Sequence, residues 1–96
     1  MKLRLGMSPI SWSNDDLPQL GGETSLETCL LETREAGFTG TETGGKFPST
    51  AGALSAVLKA HDLDLVSGWY SGTLIQNDLE SEMAQIRDQL ALFKAC

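Results

Sequence analysis

Three times along the chain, a short segment with the alternation or composition of a strand precedes a longer segment with the apolar spacing of a helix. The predicted strands span residues 3–7, 38–44 and 63–70, and a predicted helix follows each of them. This order predicts parallel strands joined by right-handed crossovers. The chain is therefore predicted to be an α/β protein made of three consecutive βα units.

The first predicted helix, about residues 25–36, has recognisable ends. Thr24 and Glu27 have the spacing of a capping box, in which the two side chains satisfy amides at a helix start. Gly37 can end the helix in a left-handed conformation. Cys29 lies within this helix and is predicted to be a small buried apolar residue without a redox role.

The second and third predicted helices also carry start signals and apolar faces. Ser49 or Thr50 is predicted to cap the second helix, and Asn77 with Glu80 resembles the start of the third. Each helix is predicted to pack one apolar face on the sheet. The three faces are Leu26, Cys29, Leu30 and Thr33; Leu54, Val57, Leu58 and His61; and Leu79, Met83, Ile86, Leu90 and Phe93.

Three strands cannot close a barrel, and a complete (β/α)8 TIM barrel takes about 250 residues. The 96 residues suffice for one small domain, which leaves two architectures: a small open three-layer domain, or three units of a larger barrel. The last helix runs to the final residue without a capping glycine or polar tail. This favours a truncated barrel, with residues 1–96 as the amino-terminal portion of one barrel domain.

Charge and hydropathy exclude several classes of function. The formal net charge of −6 provides no basic face for a phosphate backbone, so binding to nucleic acid or to anionic membranes is disfavoured. No segment resembles a signal peptide, and no apolar run approaches the roughly 20 residues of a membrane span. The sequence predicts a cytoplasmic protein.

Parallel sheets place their sites in the loops that follow the strands. Here those loops are residues 8–23, 44–49 and 70–76, with Trp69 at the end of the third strand. The candidate binding residues in and beside them are Trp12, Asn14, Lys46, Trp69, Tyr70 and Ser71. Aromatic walls around a few hydrogen-bonding groups suit a sugar-like or cyclitol ligand. The alternative is that the two tryptophans only plug the end of a small core.

Glu42 is the acid best placed for a site. It shares strand parity with Gly40, and if this face looks inward, Glu42 projects toward the mouth of the barrel. The alternative is an ion pair with Arg4 or Lys46. Lys46 itself could donate to a substrate oxygen, hold Glu42 ionised, or remain a solvated loop lysine. Asn14 and its acidic neighbours either bind hydroxyls or form an ordinary turn.

The segments "SWSNDD", "GGKFP" and "SGWYSGTL" occur in an order and spacing that resemble the amino-terminal third of the inosose dehydratases. These are enzymes of myo-inositol breakdown in the xylose isomerase-like barrel superfamily. The resemblance implies dehydration of 2-keto-myo-inositol (scyllo-inosose) to a trihydroxycyclohexane-dione, with a divalent metal, cobalt or manganese, and with glutathione. In the same family, aliphatic residues are more usual where Thr41 and Thr43 stand.

The metal ligands of this superfamily are carboxylates and a histidine on later strands, so the resemblance implies that they lie beyond Cys96. His61, the chain's one histidine, is expected at the opposite end from the active loops, with a structural or surface role. An isolated chain of this length is expected to be inactive. Two alternatives stay open: a sugar isomerase or epimerase of the same superfamily, and a non-catalytic βα module that covers its sheet edges by forming a homo-oligomer.

Overall fold

A computed structural model describes residues 2–96. In chain order the elements are strand β1 (Gly6–Met7), a 3-10 turn (Pro9–Ser11), helix α1 (Leu26–Glu35), strand β2 (Gly40–Glu42), helix α2 (Ala51–Ala60), strand β3 (Asp64–Ser67) and helix α3 (Leu79–Ala95). The strands form one parallel sheet in the order β1-β2-β3. The predicted α/β organisation into three βα units is confirmed.

All three strands are shorter than predicted, β1 at its start and β2 and β3 at both ends. β1 pairs with β2 only through Gly6 and Met7, and Leu3 and Leu5 before it are exposed. The pairing of β2 with β3 shifts register between Thr41 and Glu42. Periodicity marks where a strand is possible, whereas the ladder of hydrogen bonds decides where it begins and ends. The shift lies at the edge of the sheet where the loops begin.

α1 begins one residue later than the capping box predicted. Ser25 is the N-cap, and its hydroxyl accepts a hydrogen bond from the Thr28 amide at 3.1 Å. Thr24 instead donates its amide to the Gly21 carbonyl, which makes it the last residue of the preceding loop. The predicted capping by Thr24 is therefore wrong. Gly37 follows the helix with φ +98°, which confirms the predicted left-handed ending.

The N-cap of α2 is one of the two predicted residues, and the N-cap of α3 lies one residue after the predicted one. Thr50, one of the two predicted residues, is the N-cap of α2, without a side-chain hydrogen bond. Asp78 rather than Asn77 caps α3, and its carboxylate accepts from the Ser81 amide at 2.8 Å. Asn77 donates its side-chain amide to the Thr73 hydroxyl instead, because it belongs to the loop before the helix.

The core lies between the sheet and the first two helices. Its fully packed residues are Leu30, Leu54, Leu58 and Leu63, with Leu26, Phe47, Val57, Leu65 and Leu92 against them. The predicted faces of α1 and α2 are thus confirmed, and so is the burial of Cys29. The buried Thr41 does not disrupt this packing, because its hydroxyl donates to the Met7 carbonyl at 3.1 Å.

The predicted apolar face of α3 is only partly buried. Leu79, Met83 and Leu90 are exposed, the first at 67% and the last at 50%, so the prediction that the whole stripe packs on the sheet is wrong. The inward face is turned by about one residue and consists of Glu82, Ile86, Gln89, Leu92 and Phe93. The described sheet has no strand beyond β3 for the other side of the helix to cover.

Candidate functional site

The loops that follow the three strands meet around a cavity of about 370 Å³ at the carboxyl edge of the sheet. All the predicted site residues except Tyr70 line it: Trp12, Asn14, Glu42, Lys46, Trp69 and Ser71. Apolar residues from β1's loop, α1 and β2's loop complete the walls, namely Pro9, Ile10, Leu26, Cys29 and Phe47. The structure therefore gathers side chains that are up to about sixty residues apart in sequence at one edge, as parallel strands require.

The two tryptophans are placed differently on this cavity. Trp12 is half-buried, and its indole N–H donates to the Glu32 carboxylate at 2.9 Å. Trp69 is 84% exposed, so the alternative in which it plugs the end of the core is wrong. Both tryptophans line a space that also contains polar groups, a composition typical of small-molecule sites.

Glu42 is the last residue of β2, half-buried, and lines the cavity. The Ser67 hydroxyl donates to Glu42 Oε1 at 2.6 Å, a short hydrogen bond of the charge-assisted kind. The alternative ion pair does not form: Arg4 pairs with Asp64 at 3.1 Å, and Lys46 is directed elsewhere. Ser67 was not predicted as a site residue, because it lay inside the predicted strand 63–70, whereas in the structure it is the last residue of β3.

Lys46 ties two of the loops together. Its ammonium donates to the carbonyls of Gly21 and Gly22, at 2.9 and 3.3 Å, and to that of Thr24. No bond to Glu42 is made, so the structure does not show the alternative in which this lysine pairs with Glu42. Three carbonyls satisfy the three donors of an ammonium group. Lys46 therefore links the wall of the cavity to the loop before α1.

Asn14 forms the turn that was one of its two predicted roles. Its side-chain oxygen accepts from the amides of Asp16 and Leu17, at 2.9 and 3.2 Å. Asp15 reaches across to the second loop and accepts from the Gly45 amide at 2.9 Å. In this bond, as in those of Lys46, the second loop donates and the first loop accepts.

Tyr70 is turned away from the cavity. Its hydroxyl donates to Glu82 Oε1 at 2.5 Å, and Glu82 also accepts from the amide and hydroxyl of Thr73. The hydrogen bond to Glu82 raises the pKa of Tyr70 to about 12. The same bond, opposed by burial, lowers the pKa of Glu82. Tyr70 was predicted as a binding residue, but it does not line the cavity.

Glu82, like Ser67, was not predicted from the sequence. It is only 5% exposed, although it lies on a helix that was predicted to present apolar side chains inward. A signal existed in the spacing, because Glu82, Ile86, Gln89 and Phe93 also recur at intervals of four, three and four. That pattern contains two polar residues, which made it less evident than the stripe of apolar ones.

The described residues do not fit a metal ion. Among residues 2–96, no three side chains of His, Cys, Asp or Glu come together as a ligand set. His61 lies at the end of α2, with Nδ1 2.9 Å from the Val57 carbonyl oxygen. This contact is local to the helix end and matches the structural role expected for His61. Over the same residues, no helix has the length and apolar character needed to cross a membrane.

No protein-family model matches the chain. The protein named inosose dehydratase in Mesomycoplasma hyopneumoniae (strain 7448) is 39% identical over 93 residues, 97% of this chain and 31% of that protein. Its namesake in Clostridium tetani is 37% identical over 94 residues, 97% of this chain and 32% of that protein. The chain is a homologue of inosose dehydratases.

A second name occurs among the similar proteins. The rhizopine catabolism protein MocC of Rhizobium meliloti is 46% identical over 94 residues, 98% of this chain and 29% of that protein. The predicted resemblance to inosose dehydratases is confirmed over nearly all of the chain. The chain spans about a third of the length of these inosose dehydratases.

Proposed function

We propose that the chain forms a substrate-binding part of an inosose dehydratase, which removes water from 2-keto-myo-inositol to give a trihydroxycyclohexane-dione. The observation that carries this proposal is the identity of 37–39% to proteins of that name over almost the whole chain. We propose also that the three βα units belong to a xylose isomerase-like barrel. The position of the cavity at the carboxyl edge of a parallel sheet supports both statements.

The cavity has the chemistry that a cyclitol needs. Its volume of about 370 Å³ lies in the range of small-molecule sites, roughly 300 to 1,000 Å³. The indole of Trp12 and the ring of Phe47 offer apolar surface to the C–H faces of the ligand. The Glu42 carboxylate accepts hydrogen bonds from hydroxyl groups, and with one oxygen bound by Ser67 it retains further acceptor sites.

The proposed reaction needs substrate binding and three chemical functions, and the described residues are assigned only to substrate binding. Loss of water beta to a ketone needs a base for the alpha proton, stabilisation of the enolate and an acid for the leaving hydroxyl. A divalent metal, cobalt or manganese, supplies Lewis-acid polarisation of the substrate oxygens in the proposed enzyme. Glutathione belongs to the same proposal. No described residue is assigned to either cofactor, and Glu42 is assigned to substrate binding and orientation.

Ligand-observed saturation-transfer NMR with scyllo-inosose tests this proposal on the 96-residue chain. We expect transfer to the ring protons of scyllo-inosose in the wild type. Glu42→Gln removes the charge but keeps the size, and we expect it to weaken binding about three- to tenfold, the usual effect of one hydrogen bond. Glu23→Gln is the matched control, because Glu23 is exposed and does not line the cavity.

A ketopentose and a ketohexose are tested in the same way. The proposal requires that the cyclitol ketone binds more tightly than either of them. Equal or tighter binding of the open-chain ketoses favours a sugar isomerase or epimerase instead. No transfer to scyllo-inosose, or equal binding by the Glu42→Gln and Glu23→Gln variants, contradicts the assignment of Glu42 as a substrate ligand.

A further inference from the structure

The buried acid on α3 has an unusual set of partners. Two residues of the loop between β3 and α3, Tyr70 and Thr73, donate four hydrogen bonds to the Glu82 carboxylate. Tyr70 donates its hydroxyl at 2.5 Å, while Thr73 donates its amide at 3.1 and 3.2 Å to the two oxygens and its hydroxyl at 3.1 Å. A buried carboxylate is costly unless it is hydrogen-bonded, so this carboxylate and this loop conformation require each other.

The Thr73 hydroxyl is oriented by a further residue. Asn77 donates its side-chain amide to Thr73 Oγ1 at 2.7 Å. An oxygen that accepts from Asn77 has its own hydrogen available for Glu82, so the two bonds form a directed chain. Asn77, just before α3, thus orients the Thr73 hydroxyl that donates to Glu82 in the first turns of α3.

The two residues between Tyr70 and Thr73 bend around the carboxylate. Gly72 lies against it, since a Cβ at this position would be 3.4 Å from Glu82 Oε1. Ser71, by contrast, lines the cavity, as does Trp69 on the other side of Tyr70. Fixing Tyr70 and Thr73 on one carboxylate therefore determines where Ser71 lies.

We propose that Glu82 is a positioning residue of the cavity: by holding Tyr70 and Thr73 together, its carboxylate sets Ser71 at the rim. This inference depends on the proposed function for the identity of the ligand, but not for the position of the loop. It gives Tyr70 a role that differs from substrate contact. Glu82 touches no part of the cavity itself and acts through the loop that it holds.

Amide chemical shifts and hydrogen exchange of the 96-residue chain test the inference without a ligand. In Glu82→Gln we expect the Ser71 amide resonance to move and exchange of the Thr73 amide to accelerate about tenfold, as one lost hydrogen bond implies. Glu80→Gln removes the same charge in the same helical turn from an exposed residue, and we expect neither change.

Variants of Thr73 separate positioning from general stability. Thr73→Ser keeps both donors and is expected to leave the Ser71 resonance and the affinity for scyllo-inosose unchanged. Thr73→Val keeps the shape without the hydroxyl, and we expect it to weaken binding about three- to tenfold. A loss of stability alone would affect Thr73→Val and a surface variant of equal stability alike, whereas positioning predicts that only the former loses affinity.

Two outcomes are decisive. If the wild type does not bind scyllo-inosose, the proposed function fails, while the shift of Ser71 and the exchange of Thr73 still decide the role of Glu82. If the Ser71 resonance and the Thr73 exchange rate are the same in Glu82→Gln and Glu80→Gln, the inference is overturned. Should Glu82→Gln fail to fold, Tyr70→Phe, which removes one donor from the same carboxylate, is measured against the same criterion.

Discussion

The pKa of Tyr70 reports directly on the hydrogen bond between its hydroxyl and Glu82. Tyr70 is the chain's one tyrosine, so its ionisation can be followed by the near-ultraviolet absorbance of the phenolate without overlap from another. The bond to Glu82 raises its pKa from the ordinary value of about 10 to about 12, which lowers its acid dissociation constant about a hundredfold. We expect Glu82→Gln to return the pKa of Tyr70 to about 10 and Glu80→Gln to leave it raised.

The same change in pKa predicts how stability depends on pH. Because the pKa of Tyr70 is raised in the folded chain, the bond contributes its full stabilisation below pH 10 and loses it as the pH rises from about 10 to about 12. Urea denaturation across this window is expected to show a steeper loss of stability in the wild type than in Glu82→Gln. Circular dichroism at each pH establishes that the chain is still folded when the phenol titrates.

Either of two results would refute this reasoning. If the folded wild type titrates near pH 10, Tyr70 does not donate to an ionised Glu82 in solution. If the wild type titrates near pH 12 but Glu82→Gln does so as well, burial rather than the carboxylate holds the proton.

Three further variants test the packing and the loops. Leu54→Ala in the core is expected to lower the free energy of unfolding by about 2–5 kcal/mol, while Leu31→Ala, at an exposed position, changes it by less than about 1 kcal/mol in urea denaturation. Lys46→Met removes the bonds to the Gly21, Gly22 and Thr24 carbonyls, and we expect faster limited proteolysis of residues 18–24 with little change in the core. Gly40→Ala would place a methyl group 2.7 Å from Val66 Cγ1 and 3.0 Å from the Asp64 carbonyl oxygen, costing about 1–3 kcal/mol in thermal denaturation. Adding Val66→Ala should recover part of that loss, and no recovery would place the strain on the backbone of β3.

The order of the elements and the clustering of the loops could be predicted from the sequence, because they follow from hydrophobic periodicity and from the geometry of parallel sheets. Leu30, Leu54 and Leu58 are buried as their spacing indicated. Such residues need only an apolar surrounding, so their environment is largely contained in the local pattern. The same holds for Gly37, whose backbone conformation is a local property.

The hydrogen bonds of the site could not be predicted in the same way. Lys46 and Glu42 are close in sequence and opposite in charge, yet each bonds to a different segment. Their partners are backbone carbonyls and a serine hydroxyl whose positions exist only once the loops have folded. Tyr70 is a similar case, since whether it faces the cavity depends on an acid in the next helix. Polar partners are set by tertiary geometry, which periodicity does not contain.

The register shift between Thr41 and Glu42 decides which residue is the neighbour of the cavity's acid. With it, Ser67 stands opposite Glu42, whereas an unshifted ladder would place Val66 there. Loss of the shift, with the sequence unchanged, would therefore exchange a hydroxyl for two methyl groups beside the carboxylate. The register of two short strands thus governs the polarity of this wall, and homologues that lack the shift should differ in the ligands that they accept.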